Sequence, residues 1–209
     1  MFDRYDDVAF VGTTLGPLFV HDPSDRGIAD VVASFGALDA AAAASEWPFV
    51  APPRARECLE LMREGASRGV DDGLVWEYRR LFVGPAALPA PPWGSVYTDR
   101  ECVVFGASTL ALRAWMRERG IAATDGAKEP EDHIGRLLLM MAWIARERPD
   151  LTGEFLRDHV LTWSSHMLEQ LEAASGHAFY RGLAALAASS LEGIGAAMGL
   201  EPEHPRFYR

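Results

Sequence analysis

Cysteine is nearly missing from this sequence. Cys58 and Cys102 are too few for a disulfide framework and form no CxxC pair, so neither is assigned redox or metal chemistry. Lysine is scarcer still, with Lys128 alone, and the 20 basic residues are outnumbered by 30 acidic ones, a formal net charge of −10. A chain so short of positive charge has no basic stripe for a nucleic-acid backbone and, where electrostatics matter, favours a cationic partner. No apolar run approaches the roughly 18 to 20 residues of a membrane span. The N-terminal MFDRYDDVAF puts acids where a signal peptide carries a basic region, so a cytoplasmic protein without a membrane span is expected. Neither GxxxxGK[ST] nor GxGxxG occurs, which leaves no phosphate cradle. Ser95 lacks the trailing glycine of a GxSxG elbow and follows no predicted strand, which disfavours a serine hydrolase. There is no convincing β-alternation, internal repeat or flexible linker.

Helical periodicity is abundant instead. The 209 residues, 49% hydrophobic and 24% charged, suit one soluble domain spanning 1–209. Spacings of three and four predict a first helix over Arg4–Val20, broken by Pro23, and a second capped at Ser24 and carrying Ile28, Val31, Val32 and Phe35. Leu38–Ala44 is compatible with a helix. Another begins after Pro53, with Cys58, Leu59 and Met62 inward, and an amphipathic one spans Val70–Val83 until Gly84 and Pro85 stop it. Ser108 can cap a helix bearing Leu110, Leu112, Trp115 and Met116. Glu129–His133 introduces the next, Pro149 starts one that runs through Leu171, and Gly176 precedes a last long helix. The expected fold is all-α, with about eight or more helices and a long proline-rich loop in the middle.

That loop is unusual because it never turns polar. Pro85, Pro89, Pro91 and Pro92 stand beside Leu88, Trp93, Val96 and Tyr97, where an ordinary loop would carry Ser, Asn, Asp and Gly. An exposed apolar recognition surface is the expectation, with Trp93 and Tyr97 as aromatic anchors.

The titratable groups give little chemistry by themselves. Glu131 and Asp132 can serve as partners of a helix dipole, with His133 packed beside the cap. His159, Trp163 and His166 would share one face of a regular helix, but two turns, about 10 Å of rise, separate the histidines, too far to share one ion. No metal, cofactor or catalytic residue is assigned.

Three stretches in order are specific where each alone is weak: Tyr78-Arg79-Arg80-Leu81-Phe82-Val83-Gly84-Pro85, Ala90-Pro91-Pro92-Trp93-Gly94-Ser95-Val96-Tyr97, and Glu129-Pro130-Glu131-Asp132-His133-Ile134-Gly135. Together they resemble the TorD/DmsD family of redox-enzyme maturation chaperones, from Trp76 onward. The resemblance implies an all-α, non-enzymatic, cytoplasmic chaperone, monomer or dimer. Its partners would be the twin-arginine leader and catalytic subunit of a molybdenum-containing reductase of DMSO/TMAO type, held before Tat export. The related nitrate reductase assembly chaperones are the alternative, and a helical metal-dependent enzyme is a more distant one. Carried onto this sequence, Tyr78, Leu81 and Phe82 would line a groove beside Trp93, Gly94, Ser95 and Tyr97. Pro130, Asp132 and His133 match the family's hinge motif. Asp132, helped by Glu131 or Asp99, would pair with a leader arginine, while His133 orients the loop or senses occupancy. An arginine pair followed by an apolar segment wants carboxylates beside a greasy groove.

Overall fold

The computed structural model describes residues 4–122, 130–203 and 205–209. Among these the chain is all-α, with α1 (Arg4–Val20), α2 (Arg26–Gly36), α3 (Ala40–Glu46), α4 (Pro52–Gly65), α5 (Asp72–Phe82), α6 (Gly94–Thr98), α7 (Ala107–Glu118), α8 (Ile134–Glu147), α9 (Thr152–Phe155), α10 (Ser164–Ala174) and α11 (Ala178–Met198). No single helix is long and apolar enough to cross a membrane.

Two close helix crossings organise the core. α1 packs against α8, and the backbones nearly touch: a side chain on Gly12 would strike the Leu138 carbonyl, and one on Gly16 would come within 2.8 Å of Leu139. α11 packs against α4, α10 and α1, and its apolar residues run around the whole cylinder, the mark of a central helix. Rings on four helices join these layers. Phe35 meets Phe179, Phe179 meets Tyr180, and Tyr180 and Tyr78 flank Phe82, which in turn meets Phe19, with centroids 5.2–6.3 Å apart.

Three local expectations are corrected. Ser24 does not cap α2; Asp25 stands at that position, and Ser24 bonds to Asp22 through its N–H and hydroxyl. Gly106, not Ser108, precedes α7, and Leu110 points outward. The helix expected from Pro149 through Leu171 is broken. A 3-10 turn at Pro149–Leu151 leads into α9, then a π turn over Leu156–Val160, where the Leu161 N–H reaches back to the Leu156 carbonyl. One residue too many enters that turn, so the periodicity shifts without being lost and the sequence reads as continuous. Glu129, expected to open α8, lies outside the described residues; α8 begins at Ile134, with His133 as its cap.

Candidate functional site

The proline-rich loop and the turn before α8 meet backbone to backbone. The Ile134 N–H donates to the Pro92 carbonyl (2.8 Å) and the Gly94 N–H to the Asp132 carbonyl (3.1 Å), so Trp93 and His133 pair as a single antiparallel bridge. Asp132 locks this seam with its side chain. One carboxylate oxygen, Oδ2, accepts from the Ser95 N–H (2.8 Å) and the Ser108 hydroxyl (3.2 Å), joining the start of α6, the start of α7 and the turn before α8. Ser95 is placed for this because Gly94 opens α6, and only glycine fits there: an added Cβ would lie 2.6 Å from the Trp163 indole.

His133 caps α8 by accepting the Gly135 N–H at Nδ1 (3.1 Å), which leaves the proton of the neutral ring on Nε2. Burial, aided by the Arg136 charge, pushes its pKa down to about 3. The ring is therefore neutral at physiological pH, and the Trp93 indole sits at its edge, 5.9 Å between centroids.

The seam turns its apolar side chains inward, which corrects the expectation of an exposed apolar loop. Tyr97 is 0% exposed, stacked on Trp163 at 6.0 Å, and burial raises its hydroxyl pKa. Ala90, Pro91, Pro92 and Val96 are also buried, and Trp93 is half-buried. The cover is the protein itself: Trp163, α8 and a C-terminal strap. In the strap Phe207 stacks on His166 (4.3 Å), the Tyr208 N–H donates to the Tyr97 carbonyl (3.0 Å), and Arg209 donates to the Leu88 carbonyl (2.6 Å). Nothing in the period of the sequence marks 205–209 as a strap; its signal is the density of aromatic and cationic residues in PRFYR.

The remaining candidates divide in the same way. Tyr78, Leu81 and Phe82 face the core; the large apolar side chains left exposed here are Trp76 on α5, 64% exposed, and Val83 just after it. Asp132 is 2% exposed and already bonded, so it does not face a groove as a free carboxylate. Glu131 is held by Arg113 (2.7 Å). Asp99 accepts the N–H groups of Glu101 and Ala107, which lower its pKa, and so fastens the start of α7. Pro130 is buried beneath the turn.

A residue that the sequence reading passed over does comparable work. Glu77, buried on α5, takes a bidentate contact from Arg80 (2.7 and 2.8 Å) and the Gly176 N–H (2.6 Å). Burial would raise its pKa, but these bonds outweigh it and the net shift is downward. Arg80 continues to the Ala174 carbonyl, so the pair ties α5 to the turn between α10 and α11.

His159 and His166 separate at the π turn. His159 lies against Trp115 and Phe155, His166 against Tyr97 and Phe207, and among the described residues no three His, Cys, Asp or Glu side chains converge on a metal-sized point.

The interlocked stretches match a known family. The family model described as nitrate reductase delta subunit covers residues 51–169, which include the loop, the seam and α8. The chain is 36% identical over 209 residues to the probable Tat proofreading chaperone DmsD of Haemophilus influenzae, covering 100% of both chains. It is 41% identical over 191 residues to the Tat proofreading chaperone DmsD of Salmonella typhimurium, covering 91% of this chain and 90% of that one. The chain belongs to the TorD/DmsD family. A solved structure described as a candidate redox enzyme maturation protein from Archaeoglobus fulgidus, 19% identical, superposes with a TM-score of 0.53 over 92% of this chain and 95% of that one. At that identity it shows that the TorD/DmsD chain shares its fold.

Proposed function

We propose that this protein is a cytoplasmic, non-enzymatic chaperone that binds the twin-arginine leader of a molybdenum-containing reductase subunit and supports its maturation before export. The observation that carries the reading is the seam. The two stretches that define the family resemblance, the Trp93 loop and the Asp132–His133 turn, are one hydrogen-bonded unit in this chain, joined through Asp132. The names of the DmsD relatives, matched over nearly their whole length, support the same function. The geometry gives the seam residues a framing role. They hold the loop, α6, α7 and α8 in register, and the formal charge of −10 favours a cationic peptide.

Calorimetry tests the proposal with a synthetic peptide of two adjacent arginines followed by an apolar segment of about a dozen residues. Saturable one-to-one binding that is lost when both arginines become alanine is expected; absence of heat at high peptide concentration overturns it. The match to the nitrate reductase delta subunit model favours one second reading, an assembly chaperone of a nitrate reductase-type enzyme. Identifying the polypeptide that co-purifies with the chain separates the two.

A further inference from the structure

The proline-rich loop has more hydrogen-bond acceptors than donors. Pro85, Pro89, Pro91 and Pro92 each keep a carbonyl but carry no N–H. α6 adds to the excess at its C-terminal end, where the last carbonyls of a helix lack an intrahelical donor. A guanidinium, with five donors and no acceptor, is the side chain that complements such a surface. One already sits there. Arg209 donates through Nη2 to the Leu88 carbonyl in the loop (2.6 Å), and the Tyr208 N–H donates to the Tyr97 carbonyl near the end of α6 (3.0 Å).

The strap that brings these donors is lightly held. Residues 205–209 form no helix, and only Phe207 among them is even half-buried, stacked on the His166 ring at 4.3 Å. Two side chains touch its backbone: His166 Nε2 lies 2.7 Å from the Arg209 carbonyl, and the Cys102 thiol 3.7 Å from the Tyr208 carbonyl. Neither Arg206 nor Arg209 has a carboxylate partner among the described residues, although acids outnumber bases 30 to 20 in the chain. The strap is in effect a short arginine and aromatic peptide tethered to the surface it docks on, and an incoming peptide can replace each of its contacts.

We infer that residues 206–209 are a built-in competitor of the client leader. Strap and leader use the same acceptors, the Leu88 and Tyr97 carbonyls, and a leader arginine displaces that of Arg209. The inference rests on the proposed leader-binding function and gives it an atom set. The guanidinium meets backbone carbonyls of the loop rather than the Asp132 carboxylate, whose bonds to Ser95 and Ser108 stay intact. A client must open the strap to bind, so a peptide too weak to displace it is turned away.

Calorimetry with the arginine-pair peptide above compares wild type with the double variant Phe207→Ala/Arg209→Ala. The control is Arg206→Ala, whose guanidinium lies over Tyr208 within the strap (5.4 Å). A strap closed about ten times as often as open weakens leader binding about tenfold, so the double variant is expected to bind about tenfold more tightly and the control as wild type does. Tethering supplies an effective concentration of about 1 mM, so free PRFYR peptide should dock on the double variant with a Kd of about 0.1 mM and compete there with the leader peptide. Circular dichroism checks folding; if the double variant unfolds, Arg209→Ala alone, at an exposed position, carries the test with a gain of about threefold. Equal or weaker leader binding by the strap variants overturns the inference and leaves the leader-binding reading intact. An equal gain in Arg206→Ala assigns the effect to net charge and also overturns it, as does failure of free PRFYR to compete at about 1 mM. Absence of heat with wild type and variants alike overturns the leader-binding reading and the inference with it.

Discussion

Replacing Asp132 by alanine removes a side chain that joins the loop, α7 and the turn before α8. Two donors then lose their acceptor. The Ser95 N–H is buried, and a hydrogen bond to a charged group in such a place contributes about 1.5–3 kcal/mol. The Ser108 hydroxyl is only partly buried and can turn to water, so its loss adds about 0.5–1 kcal/mol. The backbone bridge from Trp93 to His133 remains, so the loop stays attached and the variant folds. The sum is a loss of about 2–4 kcal/mol. Urea denaturation should therefore show a lower midpoint with an unchanged slope, since the surface exposed on unfolding is the same. Asp132→Asn keeps an acceptor for Ser95 and should lose about half as much or less. A double-mutant cycle with Ser108→Ala isolates that one bond, with a coupling of about 0.5–1 kcal/mol. A midpoint for Asp132→Ala within error of wild type would refute the reasoning and would mean that the backbone bridge alone holds the seam.

Three further outcomes are expected. His133 has a folded-state pKa near 3 against an unfolded value of about 6.5, so below pH 6.5 the unfolded chain takes up a proton that the folded chain refuses, and stability falls as pH falls. Between pH 7 and pH 5 the loss from this group is about 2 kcal/mol. His133→Asn, which keeps a cap acceptor, should flatten the profile by that amount; superimposable profiles would contradict it. Gly94→Ala drives a methyl group into the Trp163 indole and should cost about 1–3 kcal/mol, partly restored by Trp163→Phe, as thermal melts would register. The Cys58 thiol, fully buried and pushed up to about 11 by burial, should resist iodoacetamide in the native protein, while the half-exposed Cys102 reacts; mass spectrometry of the labelled peptides decides this.

The fold was legible because long helices announce themselves through spacing. α1 occupies the predicted Arg4–Val20, and α4, α5 and α11 keep the predicted apolar residues inside. The π turn was not legible, since one inserted residue shifts the helical phase without breaking the apolar pattern. The motif residues were found, but their roles could not be read. Gly94 is glycine because of Trp163, 69 residues away in the sequence, and Asp132 faces inward because Ser95 and Ser108 wait for it there. The apolar loop illustrates the general difficulty: composition says that proline, tryptophan and tyrosine must be covered, but not by what. Here Tyr97 is covered by Trp163 and the C-terminal strap.

The account's central claim is that the chain holds a client through its leader. The most direct measurement is capture of a twin-arginine reductase catalytic subunit co-expressed with the tagged chain, with the leader intact, deleted, or carrying alanine in place of both arginines. The account predicts a stable complex with the intact leader and its loss in the other two cases; equal capture of all three would contradict it.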